Sequence, residues 1–503
     1  MCGIVGSYPA DRNQTIQASL RKLVHRGPDG NGIINTTNSS LGHTRLSIID
    51  VAHGHQPMRH EDTWIVFNGE VYNFEKIGEM IPTKLETQSD TEVVLHLYQN
   101  FGPDCVSLLD GMFAFAIVDE ESIFLARDPL GIKPLYYVVK DQVLYFASEM
   151  KALLEISPDI EEFPAGHWWH SDLGIRQYHQ LISDSICPAH GEDKILEGQT
   201  SMIRRALQKA VEKRMIADEN VPVGVSLSGG LDSSVVAAFA RDVNDNLDTF
   251  VVGVSGGKDI DASIEVANYL GTTHHIYKYS LDEMVSVLPD VIYHLESFDA
   301  PLVRSAIPNY FLAKLASEHV KVILTGEGAD ELYAGYEYLA DINTPDRLQD
   351  ELLLLTKKLQ NTNLQRADRM SMAHGLEARV PFLDKEFVDL SLALPASWKL
   401  NKQGQVEKQL LRKACEGLIP KRILNRPKSK FSDGAGSLNL LAEYANQKIS
   451  DGEYRRNEPA IKDYKLRSKE ELLYFQIFNG IFGAELSTQI QGRTRSITSG
   501  ELS

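Results

Sequence analysis

In the first part of the chain, short apolar runs alternate with Gly, Pro, Asn and Asp punctuation. They predict strands over 41–49, 63–67, 113–118, 122–127, 134–139 and 143–147. Apolar residues spaced three and four apart predict helices over 16–24 and 91–101. The stretch 183–193 is polar and turn-rich, which places a domain linker there. Beyond it the texture changes. Residues 195–215 have helical spacing, and 221–227 form a short apolar run that leads through a Gly-Gly turn into a helical 235–241. Further apolar runs at 249–254 and 320–324 alternate with helical segments, the pattern of a parallel α/β sheet. The remainder reads as mostly helical to Gly483, and 487–503 reads as a polar, disordered tail. The expected division is 1–190, 191–486 and a tail from 487, with no internal repeat.

Composition narrows the class. The chain has 503 residues, 43% hydrophobic and 24% charged, which is ample for two globular domains. A net charge of −18 argues against a nucleic-acid partner, which normally demands a basic stripe. Local Arg, Lys and Mg²⁺ can still hold small anions. The N-terminal residues carry neither the basic nor the apolar region of a signal peptide, and no stretch reads as a membrane span. Cys2, Cys105, Cys187 and Cys415 are scattered, with no disulfide framework. The expectation is a soluble, cytoplasmic protein.

Two constellations carry chemistry. Cys2 follows Met1 directly, so removal of Met1 would leave one residue holding a thiol nucleophile and an α-amine able to act as its base. The second is Ser228-Gly229-Gly230-Leu231-Asp232-Ser233-Ser234, behind a predicted strand and opening a predicted helix. Backbone N–H groups and hydroxyls at such a turn cradle phosphate, and Asp232 adds a carboxylate suited to Mg²⁺. No Lys-Ser/Thr pair closes the loop, so it is not a Walker A motif. His274 and His275 lack the company of further ligands and do not read as a zinc site.

The Ser-Gly-Gly-x-Asp-Ser loop is similar to that of ligases that cleave ATP to AMP and pyrophosphate. Nearly the whole chain resembles the glutamine-hydrolysing asparagine synthetases. The signatures are Met1-Cys2-Gly3-Ile4, His25-Arg26-Gly27-Pro28-Asp29, Arg45-Leu46-Ser47-Ile48-Ile49-Asp50, Asn68-Gly69-Glu70 and Ser89-Asp90, then the loop at Ser228 and Leu324-Thr325-Gly326-Glu327-Gly328-Ala329-Asp330-Glu331.

The resemblance implies an N-terminal-nucleophile αββα glutaminase followed by a parallel-sheet α/β ATP-pyrophosphatase domain with a helical C-terminal part. Cys2 would attack the glutamine amide, while Asn68 and Gly69 stabilise the oxyanion. Arg45 would clamp the α-carboxylate along the segment Leu46, Ser47, Ile48 and Ile49, and Glu70 and Asp90 would take the α-ammonium. Arg26 and Asp29 are assigned to shaping a loop.

In the second half, Leu227, Ser228, Gly229, Gly230, Asp232, Ser233, Ser234, Val252, Thr325, Gly326 and Lys428 would surround ATP, although Leu227 and Val252 read equally well as strand core. Asp232 and Asp330 would hold Mg²⁺. Glu327 would lie near the activated carboxyl and could take a proton from ammonia. Lys428, rather than Lys430, would neutralise phosphate charge. Thr325 replaces the serine of bacterial synthetases but keeps a hydroxyl. Arg304 and Tyr336 are assigned to the aspartate side, and the run Gly375 to Asp384 to packing and salt bridges between elements.

The reaction this implies is ATP-dependent amidation of aspartate through β-aspartyl-AMP, with ammonia crossing an enclosed apolar passage between the domains. A homodimer is implied by the resemblance alone. Two other readings remain open: amidation of a different carboxylate on a sugar, peptide or specialised metabolite, and a non-catalytic nucleotide-binding regulator.

Overall fold

A computed structural model describes residues 1–11, 15–182, 192–400, 406–428, 439–457 and 465–483. The predicted linker falls mostly on 183–191. That stretch, the tail 487–503 and Lys430 lie outside the described residues.

The first half is two six-stranded antiparallel sheets packed face to face. One runs in the order Glu161–Glu162, Tyr136–Lys140, Val143–Ala147, Gly3–Tyr8, Ser40–Arg45, Gly30–Asn35. The other runs Gly174–Gln177, His167–His170, Ile123–Arg127, Gly111–Val118, Thr63–Val71, Met58–His60. The strand Gly111–Val118 shows why its sequence is apolar throughout. Ala114, Ala116 and Val118 face the opposite sheet with Ile4, Leu41 and Phe146. Phe113, Phe115 and Ile117 point the other way, onto Val93, Val94 and Leu97 of the helix Asp90–Phe101. Period-two alternation thus feeds two cores at once, and both faces must be apolar.

The second half is a five-stranded parallel sheet in the order Thr273–Lys278, Asp248–Gly253, Val223–Ser226, Val322–Leu324, Glu377–Arg379. Val223, Val225 and Leu227 pack on one face, while Phe250 and Val252 pack on the other. The helices Leu231–Val243, Lys258–Leu270 and Ala300–Ser317 cover it, and further helices follow to Lys469–Phe482. No helix among the described residues is long and apolar enough to cross a membrane.

Several elements differ from their sequence forecast. The strand forecast over 41–49 ends at Arg45, because Ser47 leaves the ladder to donate its N–H to Asp29 Oδ2 at 2.8 Å. Gly3–Tyr8 is a central strand whose glycines concealed it: a Cβ on Gly6 would lie 2.4 Å from Phe146 Cζ. Thr273–Lys278 is an edge strand with little buried surface, so it leaves no apolar signature. Glu377–Arg379 is charged at both ends and still forms an edge strand, since its charges are neutralised inside the protein.

The two halves meet through buried ions. Arg26 donates to Glu149 Oε1 at 2.6 Å and to both oxygens of Asp368 at 2.8 and 3.1 Å. Lys151 pairs with Glu149 and lies 3.6 Å from Glu296, while Arg369 reaches Asp368 at 3.0 Å and Glu296 at 3.4 Å. Lys133 lies 3.8 Å from Asp368. Removing one member leaves its partners charged and without water, a loss of about 3–5 kcal/mol. Asp368→Ala should therefore lower the unfolding free energy by that order and shift the urea midpoint down, with Asp368→Asn shifting it in the same direction. Unchanged midpoints for both variants would contradict this account.

Candidate active sites

The first site is an open cleft of about 360 Å³ lined by Met1, Cys2, Arg45, Leu46, Ile48, Ile49, Gly69, Glu70 and Asp90 among others. Strand pairing brings Cys2 beside Arg45, and the packing of the two sheets sets both against Gly69 and Glu70. Cys2 enters the strand Gly3–Tyr8, and its N–H donates to Asn68 Oδ1 at 3.0 Å. This fixes the Asn68 amide and leaves its Nδ2 buried with no partner among the described residues, a donor available to an incoming oxygen. A Cβ on Gly69 would fall 2.2 Å from the Met112 carbonyl oxygen, so only glycine fits there.

Arg45 is braced by two carbonyls: Nη2 donates to Asp50 O at 2.6 Å and Nη1 to Val51 O at 3.0 Å. Asp90, at the start of its helix, accepts the Val71 N–H at 3.0 Å, and burial pushes its carboxyl up to about 6. Burial, with Asp90 close by, also pushes Glu70 well up. Glu70 Oε2 pairs with Arg379 at 3.1 Å, while Oε1 is buried without a partner among the described residues. Burial raises the Cys2 thiol against the pull of the nearby N-terminal ammonium. That ammonium, on Met1, donates to Glu377 Oε2 at 2.7 Å with both groups fully enclosed. Ser47 is not part of the cleft lining; it is tied to Asp29, which itself pairs with Lys321 at 2.6 Å.

The second site lies at the carboxyl ends of the parallel strands, where ligands of open α/β sheets bind. Ser228 N–H donates to Ser233 Oγ at 3.2 Å, and the two hydroxyls lie 3.1 Å apart, folding residues 228–233 into a tight turn. Gly229 has φ +69°, and a Cβ there would meet the Ala262 carbonyl carbon at 2.4 Å. Gly230 caps the helix Leu231–Val243, whose first turn carries Asp232, Ser233 and Ser234. The acidic loop comes alongside: a Cβ on Gly326 would lie 2.9 Å from Asp232 Cβ. The Ser234 and Thr325 hydroxyls and Asp232 Oδ1 are buried without partners among the described residues. Leu227 and Val252 are fully packed in the apolar clusters on the two faces of the sheet.

Four residues missed in the sequence complete this site. The Lys408 ammonium, only 3% exposed, lies between Asp232 Oδ2 at 2.6 Å and Asp330 Oδ1 at 2.5 Å. Burial alone would lower Lys408, but the two carboxylates raise it. Burial also works against ionisation of Asp330, yet Lys408 and Lys428 overcome it and hold its carboxyl well below the usual range. Lys428 pairs with Asp330. Glu327 is held by Arg366. Arg426 donates to Gly229 O at 3.0 Å and to Asp259 at 2.7 Å, clamping the phosphate turn from behind. Glu407 accepts the Lys428 N–H at 2.9 Å and pairs with Arg412. The only signal for these is tertiary proximity, with Lys408 lying 176 positions from Asp232.

Two residues expected on the aspartate side have partners within the protein. Arg304, expected at an aspartate carboxylate, forms a two-point ion pair with Glu470 at 3.1 and 2.6 Å. Tyr336, expected on the aspartate side, bears on Lys428 and Glu331. The histidine pair is structural, with His275 on Asp248 at 2.7 Å and His274 between Ser263 and Thr249 at 3.0 and 2.9 Å.

A thiol beside an orphaned amide donor, coupled to a phosphate turn facing two carboxylates, defines a two-site amidotransferase that uses a nucleotide. The glutamine amidotransferase domain family matches residues 1–172, and the asparagine synthase family matches 202–344 and 340–496. The chain is 37% identical over 515 residues to asparagine synthetase (glutamine-hydrolyzing) 2 of Arabidopsis thaliana, covering 96% of this chain and 88% of that protein. It is 37% identical over 516 residues to asparagine synthetase B (glutamine-hydrolyzing) of Escherichia coli (strain K12), covering 96% and 91%. It is 37% identical over 541 residues to a probable asparagine synthetase of Dictyostelium discoideum, covering 98% and 96%. The chain belongs to the glutamine-hydrolysing asparagine synthetase family, and its second half is the ATP-binding pyrophosphatase type of domain.

The approach of the two nucleotide loops makes a sharp test. Gly326→Ala places a methyl 2.9 Å from Asp232 Cβ and 3.1 Å from Ser233 N, so the loops must part. Nucleotide-dependent pyrophosphate release should fall at least about ten-fold, with glutamine hydrolysis retained. Full nucleotide-dependent activity in this variant would refute the packing argument.

Proposed function

We propose that the two sites act in series on one amide nitrogen, converting aspartate to asparagine at the expense of glutamine and ATP. The observation that carries this reading is Arg379. Its side chain holds Glu70 in the glutamine cleft, while its backbone carbonyl accepts the Thr325 N–H at 2.9 Å in the acidic loop. One residue is thus structural to both sites.

With Met1 removed, the Cys2 α-amine takes the thiol proton and the sulfur attacks the glutamine side-chain carbonyl. Asn68 Nδ2 and the Gly69 N–H receive the developing oxyanion. Arg45 takes the α-carboxylate, and Glu70 and Asp90 take the α-ammonium. Ammonia leaves, and water releases glutamate from the thioester. Met112, Leu130 and Ile132 share one buried cluster with Leu227, Val380 and Leu383, which supports an apolar route that keeps ammonia unprotonated.

At the second site the aspartate β-carboxylate attacks the α-phosphorus of ATP, forming β-aspartyl-AMP and pyrophosphate. Ammonia then attacks the acyl carbon and AMP leaves, with Glu327 placed to take the surplus proton. Lys408 and Lys428 offset phosphate charge. Among the described residues no group of three or more His, Cys, Asp or Glu is set to hold a metal ion by itself. Two carboxylates, with Asp232 Oδ1 buried and unpartnered, suit a Mg²⁺ that arrives already bound to phosphate oxygens. Asp232 and Asp330 would hold that ion, and its chemistry would be to neutralise charge on the phosphates.

Cys2→Ala should abolish asparagine formation from glutamine and leave formation from added ammonium salts within about two-fold of wild type. Loss of both would sink the division of labour.

The raised Asp90 carboxyl gives a pH test. A carboxyl titrating at about 6 loses its charge as pH falls through that value, so α-ammonium recognition weakens below it. The glutamine kcat/KM should carry an acidic limb near pH 6. A substrate analogue lacking the α-amine should not show that limb, and an identical limb for both substrates would overturn the assignment.

A further inference from the structure

We propose that Tyr336 and Asn363 are positioning residues that fix the Lys428 ammonium over the reacting phosphate. This rests on the reading of Lys428 as the lysine that offsets phosphate charge, and it moves Tyr336 from the substrate to the lysine.

The Lys428 ammonium is paired with Asp330 and lies 4.8 Å from the centroid of the Tyr336 ring. Asp330 cannot define that position alone, because Lys408 holds it too. A lysine head on a four-carbon stem has three rotatable donors and can wander around a shared carboxylate. An aromatic face restricts it, since the ring quadrupole attracts the cation along one direction only.

The ring is itself locked. Its O–H donates to Glu331. Asn363 Nδ2 donates to Tyr336 Oη at 3.0 Å and to Glu331 Oε1 at 3.1 Å, closing a three-membered ring of hydrogen bonds. Glu331 is only 2% exposed and directly follows Asp330, so the lysine's ion-pair partner and the anchor of its aromatic wall share one helical turn, Ala329–Leu332. The main chain is held independently, through the Lys428 N–H on Glu407 at 2.9 Å. Backbone, ammonium and aromatic wall are thus set by separate contacts, and only the wall is tuned by Tyr336 and Asn363.

The test uses the full-length enzyme and reads aspartate-dependent pyrophosphate release, with glutamine hydrolysis as the folding control. Tyr336→Leu removes the face, Tyr336→Phe keeps it, and Asn363→Ala unlocks it. Each is made alone and in a Lys428→Ala background. Tyr336→Leu should lower kcat about ten-fold or more, with KM for ATP and for aspartate within about two-fold. Tyr336→Phe keeps the face but loses both hydrogen bonds that lock it, so it should fall by no more than about three-fold, and Asn363→Ala, which keeps the bond to Glu331, should fall between wild type and Tyr336→Phe. In the Lys428→Ala background, Tyr336→Leu should add less than about two-fold.

Multiplicative losses in the double variant would overturn the proposal. So would a raised KM for aspartate at unchanged kcat, which would place Tyr336 on the substrate. A Phe variant as impaired as the Leu variant would also do so, by assigning the role to the hydroxyl. A Lys428→Ala enzyme with wild-type release would overturn the underlying reading of Lys428 and this proposal with it.

Discussion

A guanidinium sealed from water must find its counter-charges inside the protein, and Arg379 finds them on both sides of a domain boundary. Nε donates to Glu377 at 2.6 Å, Nη2 reaches Glu70 at 3.1 Å, and Nη1 is taken by the carbonyls of Arg214 at 2.8 Å and Ile216 at 2.5 Å. Burial would weaken its charge, but Glu377 and Glu70 raise its affinity for the proton well above the ordinary value. In the chain that keeps Met1, Glu377 is in turn held down to about 2, against its own burial, by the Met1 ammonium and Arg379; once Met1 is removed, Arg379 remains as its partner. Such a network adds little net stability compared with an apolar core, yet it tolerates few geometries, because any displaced member is left charged and dry. The relative placement of the two halves follows from that intolerance, reinforced by the Arg26, Glu149 and Asp368 cluster.

The same constraint explains why an edge strand of only three residues matters so much. Glu377–Arg379 extends the parallel sheet beside Val322–Leu324, and the carboxyl end of that neighbour opens into the acidic loop. The backbone of the edge strand therefore sets the nucleotide side, while its side chains set the amide side. The antiparallel sheets contribute differently. Their apolar faces bury the strands so thoroughly that Cys2, which leads into Gly3–Tyr8 of one sheet, is held against Asn68 and Gly69, both on Thr63–Val71 of the other.

Much of this was legible in the sequence. Alternation and turn residues located six of the twelve strands described in the first half. The runs around Cys2, Asn68, Ser228 and Asp330 carried the chemistry, because their glycines are required by close approach: Gly69 to Met112, Gly229 to Ala262, Gly326 to Asp232. Two physical reasons stand out among what escaped. Gly3–Tyr8 and Thr273–Lys278 lack the apolar period that advertises a strand, one through its glycines and the other through an exposed edge. Lys408, Arg366, Arg426 and Glu407 sit in unremarkable surroundings, and their importance arises only when the chain returns to the nucleotide loops. Arg304 shows the converse: its place in a suggestive segment did not foretell that Glu470 would claim it.

Lys408 has a consequence for how the second site fills. Asp232 and Asp330 stand close together in a buried turn, and unrelieved they would repel each other and spread the loops that Gly326 brings together. The lysine is a built-in counter-ion, so the two carboxylates are already neutralised and the loops they sit on already shaped. Any ligand that takes up these carboxylates must leave the lysine another anion to face, so occupancy of the site is an exchange of ion pairs and adds no new charge to the turn.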